Sequence, residues 1–183
     1  MPLRTLCVFC ASAIGVRLSY REAAEHLGRE LATRGIGLVY GGATVGLMGA
    51  VANSTMQQGG SVIGVIPHVL VDKEVSHHGL SELHVVDTMH TRKALMAERS
   101  DAFLILPGGY GTFEEMFEVL TWQSIRLHDK PVCLLNVDGF YDGLLAFLDH
   151  CLREGVLRQG ARDNLLVATT VEAALDLISQ RVN

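Results

Sequence analysis

Between positions 35 and 67 the chain carries no charged residue. An uncharged run of that length has to be buried, in a bilayer or in a protein core. Glycines and the polar residues Asn53, Ser54, Gln57 and Gln58 interrupt it, so it does not read as the continuous apolar helix that spans a membrane. Buried parallel strands joined by tight loops account for it better, because a strand covered on both faces is apolar without alternation.

The same rhythm continues along the chain. Short apolar runs at residues 5–10, 37–40, 61–66, 83–86, 102–106 and 132–136 read as strands, with 165–168 as a late edge strand. Residues 19–34 carry Ala23, Ala24, Leu27, Leu31 and Ala32 near a period of 3.6, which predicts a helix. Residues 47–58, 91–99, 113–126, 141–154 and 171–181 read the same way. Strands alternating with helices predict an α/β fold: a single Rossmann-like doubly wound domain over residues 1–183, its mainly parallel sheet covered by helices on both faces. The 49% hydrophobic content is enough for one core and argues against disorder.

Composition removes several function classes. Fifteen Lys and Arg against 20 Asp and Glu give a net charge of −5, and no run of basic residues occurs. That argues against a nucleic-acid footprint and against a polybasic membrane anchor. The N-terminal apolar run is only six residues long, shorter than a signal peptide requires. Cys7 and Cys10 form a C-x-x-C inside a predicted strand, where residues three apart point to opposite faces. They read as core cysteines rather than a metal clip, in a reducing cytoplasm. His77-His78 lacks a third ligand at suitable spacing, so no metal is expected.

In doubly wound sheets, ligands sit beyond the carboxyl ends of the strands. Three small-residue loops fall there: Ala11-Ser12-Ala13-Ile14-Gly15, Gly41-Gly42-Ala43-Thr44-Val45-Gly46 and Pro107-Gly108-Gly109-Tyr110-Gly111-Thr112. Together they suggest a broad anion or nucleotide site, to which Ser12 would donate or where it would cap a turn. The third loop opens a helix, whose free N–H groups and partial positive charge suit a phosphate. Neither a Walker A lysine nor G-x-G-x-x-G follows, which argues against ATP-dependent phosphoryl transfer and against NAD. Tight packing between strand and helix is the alternative account of these glycines.

A carboxylate beside a bound phosphate is repulsive, so Glu115 is expected to face another part of a ligand, such as ribose hydroxyls. Thr112 and Glu115 also match a capping box, with Thr112 as N-cap and Glu115 at the third helical position. Glu114 and Glu118 read as solvated helix charges. Met89-His90-Thr91-Arg92-Lys93 begins another helix and brings two cations to the ligand edge, where arginine can grip phosphate in a bidentate way. An ordinary charged surface helix is the alternative. If the flanking strands pair, Arg92 and Glu115 lie on adjacent loops. Trp122, Phe113, Phe117 and Leu120 read as helix core. No G-x-S-x-G nucleophile elbow occurs.

Pro107-Gly108-Gly109-x-Gly111-Thr112-x-x-Glu115 together with Met89-His90-x-Arg92-Lys93 resembles the Lonely Guy (LOG) family, cytokinin riboside 5′-monophosphate phosphoribohydrolases formerly mislabelled lysine decarboxylases. The resemblance runs from residue 7 to about residue 155 and includes Tyr40-Gly41-Gly42, Gly46-Leu47-Met48-Gly49, Gly64-Val65-Ile66-Pro67 and Leu134-Leu135-Asn136. It implies hydrolysis of the N-glycosidic bond of an N6-modified AMP by a Rossmann-like homodimer, with no cofactor. It implies Arg92 and Glu115 as the catalytic pair. Lys93, the run Gly109-Tyr110-Gly111-Thr112, Glu74 and Thr121 would be substrate contacts, with Ser12, Gly41, Gly42, Met89, Gly108, Phe113 and Glu114 completing the candidate site. The chain departs from the family's usual pattern at Ala11, Ala13 and Ala43, which touches substrate preference rather than chemistry. A non-catalytic nucleotide or cofactor carrier is the rival reading. A pyridoxal decarboxylase finds no lysine in a recognisable setting among Lys73, Lys93 and Lys130.

Overall fold

The computed structural model describes residues 2–71, 77 and 79–182. The elements run β1 (Thr5–Phe9), α1 (Leu18–Thr33), β2 (Gly37–Tyr40), α2 (Gly46–Gln57), β3 (Val62–Pro67) and the single turn α3 (His68–Val71). They continue with β4 (Glu82–Val86), α4 (Met89–Glu98), β5 (Ala102–Ile105), α5 (Tyr110–Ser124), β6 (Val132–Leu135), α6 (Asp142–Arg153), α7 (Gln159–Asp163), β7 (Leu165–Ala168) and α8 (Val171–Val182). The seven strands form one sheet in the order β4-β3-β2-β1-β5-β6-β7, and every pairing is parallel. This is the doubly wound α/β sheet that the strand–helix rhythm predicts.

The apolar strands are buried because both faces are covered. On one face Leu6, Val8 and Cys10 pack with Leu27 and Leu31 of α1, Val51 of α2, and Leu175 and Ile178 of α8. On the other, Cys7, Phe9 and Phe103 pack with Met96 of α4, Met116 and Val119 of α5, and Leu148 of α6. Cys7 and Cys10 thus point to opposite faces as expected, and both are free, buried thiols. The charge-free stretch supplies β2, α2 and β3, where Leu38, Val39, Tyr40, Val51 and Val65 are fully buried. The late strand β7 lies at one edge, and β4 lies at the other with Leu83 and Val85 partly exposed.

One expectation about position fails. β4 and β5 do not pair, since β3, β2 and β1 lie between them. The loops bearing Arg92 and Glu115 are therefore not neighbours along the sheet edge. Instead, α4 crosses back over the sheet between β4 and β5. Among the described residues no helix is long and apolar enough to cross a membrane.

Candidate functional site

The chain leaves β1 toward β2 on one side, and α4 later returns it to β5 on the other side of β1. This reversal creates a crevice beyond the ends of β1 and β5, the usual ligand position in such sheets. Two hydrogen bonds pin its floor: Ala11 N donates to the Pro107 carbonyl (3.1 Å), and Leu47 N donates to the Ala11 carbonyl (3.0 Å). The exposed Ser12 sits in this loop. The buried Tyr141 hydroxyl props the opposite wall by donating to the Leu106 carbonyl (2.6 Å), while Tyr141 N donates to Asn136 Oδ1 (2.7 Å).

The glycine loop opens α5 three residues upstream of the start that the capping box predicts. Gly109 is the N-cap, in extended conformation, and no side chain caps the helix. Phe113 N donates to the Gly109 carbonyl (2.9 Å), so the amides of Tyr110, Gly111 and Thr112 precede the first intrahelical bond. Thr112 is consequently the third helical residue rather than the N-cap, and Glu115 lies in the second turn. The capping-box expectation fails because glycine at position 109 caps without a side chain.

The three glycines differ in role. A Cβ on Gly108 would collide with the buried Thr112 side chain, so local packing requires that glycine. A Cβ on Gly109 or Gly111 would meet nothing within 4 Å. Packing does not demand those two, and their bareness leaves the amide turn accessible to a ligand. Tyr110 beside them is 94% exposed.

Arg92 is buried, in the first turn of α4, which Thr88 caps by accepting from Thr91 N (3.0 Å). Its Nε donates to the Val65 carbonyl and its Nη2 to the Gly41 carbonyl, both at 3.1 Å. Among the described residues, its Nη1 donates to the Met89 thioether, at 3.8 Å, a weak acceptor. The side chain thereby reaches from the end of β4 back across β3 to the end of β2. Gly42 follows with φ +77, a turn that favours glycine. Burial and then the Glu115 carboxylate push the Cys10 thiol up, and Arg92 opposes them. The same two charges act on Cys7. The charges of Arg92 and Glu115 thus both act on Cys7 and Cys10, although their loops are not adjacent.

Lys93 reaches across to α5. Its ammonium pairs with Glu114 and, at 3.0 Å, with Glu118, and its side chain is only 7% exposed. Burial lowers its pKa, but the bonds to Glu114 and Glu118 outweigh burial and leave it above the ordinary lysine value. Glu114 and Glu118, read from sequence as solvated charges, form this cluster. No spacing rule links residues so far apart in sequence, so their pairing was not visible there.

The other candidates scatter. Phe113 packs partly buried on the second core, edge-on to Tyr141 (6.2 Å). Trp122 and Leu120 pack there too, as expected, whereas Phe117 is 39% exposed and is not core. Thr121 donates to the Phe117 carbonyl (2.6 Å) on the outer side of α5, about two turns beyond the glycine loop. It lines an apolar groove with Phe117, Leu120, Leu148 and Leu157. Buried His77 donates its amide to the Gly42 carbonyl (3.0 Å) and bonds Asn53 through Nε2 (2.8 Å). Glu74 and His78 lie outside the described residues. Among the described residues, the metal-compatible grouping is His26, Glu30 and Glu172 on α1 and α8, away from the crevice, with His26 Nε2 and Glu172 Oε1 2.6 Å apart.

Residues 48–178 match the family described as "Possible lysine decarboxylase". A cytokinin riboside 5′-monophosphate phosphoribohydrolase of Oryza sativa subsp. japonica is 51% identical over 91% of this chain and 69% of its own length. One from Arabidopsis thaliana is 49% identical over 92% of this chain and 79% of its own. The chain belongs to the LOG family. The LOG match contains Arg92, Glu115 and the whole glycine loop. Among solved structures, the molybdenum cofactor carrier protein from Chlamydomonas reinhardtii superposes with a TM-score of 0.73 at 22% identity, covering 98% of both chains. The molybdenum cofactor binding protein from Rippkaea orientalis gives 0.72 at 22% identity, covering 100% of this chain and 98% of that one. These likenesses establish that the LOG chain shares their fold.

Proposed function

We propose that this LOG-family chain hydrolyses the N-glycosidic bond of cytokinin riboside 5′-monophosphates, and of related N6-modified AMP, to free base and ribose 5-phosphate. Family membership at about 50% identity supports the reaction. The observation that carries the site assignment is the buried Arg92 guanidinium seated on the Val65 and Gly41 carbonyls, together with the open amide turn at Tyr110-Gly111-Thr112 that leads into Glu115.

The chemistry follows from this arrangement. The bond from ribose C1′ to the purine nitrogen breaks with its electron pair leaving on the base, so positive charge builds on the sugar as in glycoside hydrolysis. The Glu115 carboxylate stabilises that charge and orients the water whose oxygen bonds to C1′. The departing base takes up a proton. The 5′-phosphate lies on the free amides of α5, where the helix end favours an anion. Arg92 offers Nη1 to the ligand, since carbonyls hold its Nε and Nη2. Preorganised groups of this kind are typically worth on the order of 100- to 1000-fold each.

The protein in this reading is a single domain over residues 1–183 that works as a cytoplasmic homodimer without nucleic-acid or membrane partners. Exposed Phe117 of α5, Ile125 just after it and Phe147 of α6 support an apolar contact face for the second copy, and light scattering tests the mass. Ribose 5-phosphate release from isopentenyladenosine 5′-monophosphate and from AMP, assayed side by side, tests the activity. Release from either supports the hydrolase. AMP binding without release favours a carrier.

A further inference from the structure

The Arg92 side chain is seated on the β3 and β2 carbonyls, but nothing in the sheet links its helix directly to that of Glu115. Their strands are separated by three others, so a direct contact between α4 and α5 adds a second constraint on the spacing. Lys93 directly follows Arg92 in α4, and Glu114 directly precedes Glu115 in α5. The Lys93 ammonium pairs with Glu114 and, one helical turn on, with Glu118 at 3.0 Å. At 7% exposure it sits in a setting where breaking an ion pair is costly. The residues next to the proposed catalytic pair are thus tied directly to each other.

We propose that Lys93 is a positioning residue: held between Glu114 and Glu118, it fixes the Arg92 turn of α4 against the Glu115 turn of α5. This rests on the hydrolase reading for its consequence but not for its geometry. Glu118, whose partner is Lys93, becomes a determinant of turnover without touching substrate. The acidic pair on α5 outnumbers the single cation, so the cluster keeps a net negative charge and offers no anion site of its own.

The test is a cycle of Lys93→Met and Glu118→Gln, singly and together. Misplacing a reacting group by about 1 Å costs on the order of 100-fold. The clamp predicts that each single variant loses roughly 10- to 100-fold in kcat with little change in KM. It also predicts that the double variant is no worse than Lys93→Met, since Glu118→Gln removes a pair that Lys93→Met has already removed. If Lys93→Met instead raises KM while Glu118→Gln is kinetically silent, Lys93 contacts substrate and the proposal is overturned. Lower melting temperatures with unchanged kcat also overturn it, as that marks a purely structural pair. Amide hydrogen exchange over α4 supplies a readout that needs no activity. Faster exchange around Arg92 in Glu118→Gln supports the clamp, and unchanged exchange refutes it. Should the unsubstituted protein release no ribose 5-phosphate, the hydrolase reading fails while the exchange result still decides the clamp.

Discussion

Arg92 rests so closely on Gly41 that no side chain fits between them: Nη2 donates to the Gly41 carbonyl at 3.1 Å, and a Cβ on Gly41 would overlap that nitrogen. The other near neighbour is the flexible Met48 thioether, 2.9 Å from such a Cβ. Gly41→Ala should therefore leave the fold standing and push the guanidinium aside. Ribose 5-phosphate release should fall roughly 100-fold, the scale of losing one preorganised donor, with melting little changed. Turnover at the original rate in a stable Gly41→Ala protein would show that the seat of Arg92 is irrelevant.

Glu115 has no capping duty, because α5 starts at Gly109. Glu115→Gln keeps shape and removes charge. The expected loss is about 100- to 1000-fold in turnover at an unchanged melting temperature, with AMP binding retained in calorimetry. Equal loss of stability and activity would return Glu115 to a structural role.

The glycine loop should split under alanine substitution. Gly108→Ala drives a methyl into the buried Thr112 side chain and should destabilise by about 1–3 kcal/mol. Gly111→Ala lies in the helix with open space around it, and should stabilise by about 0.5–1 kcal/mol through helix propensity. That same methyl projects where a phosphate would lie, so AMP affinity should drop roughly tenfold or more. Thermal melts and calorimetry on both variants check the opposite signs.

His128 makes acid stability testable. Burial, and secondarily Lys130, lower its pKa. A lowered folded value means that the fold resists protonation. Stability is full above the ordinary histidine value of about 6.5, and is lost as pH falls through the depressed folded value. Melting at pH 7.5 and 5.5 should show a larger drop in the parent than in His128→Gln. An equal drop would assign the acid sensitivity elsewhere.

Most of the scaffold was legible in sequence because parallel strands buried on both faces announce themselves as unbroken apolar runs, and Leu6, Phe103 and Leu134 are all fully buried as such runs require. Local signals failed where glycine replaced them. Gly109 caps α5 without a side chain, so Thr112 and Glu115 mimicked a helix start that lies upstream. Long-range partners left no trace. Nothing in the spacing of Arg92, Gly41 and Val65, or of Lys93 and Glu118, says that they meet, since the α4 crossover brings them together. Strand order was likewise silent: the Arg92 and Glu115 loops are adjacent only if β4 and β5 pair, and three strands intervene.

The crossover of α4 also bears on how the protein acquires activity as it folds. Arg92 of the proposed catalytic pair grows from the wing that ends in β4, Glu115 from the wing that begins at β5, and β1 joins the wings at the centre. Either wing can gather local helices early, but the crevice forms only after segments distant along the chain have closed, a step that loop-closure entropy makes slow. Recovery of turnover should therefore trail recovery of helical signal in a refolding experiment, making catalysis a late reporter that both wings have docked.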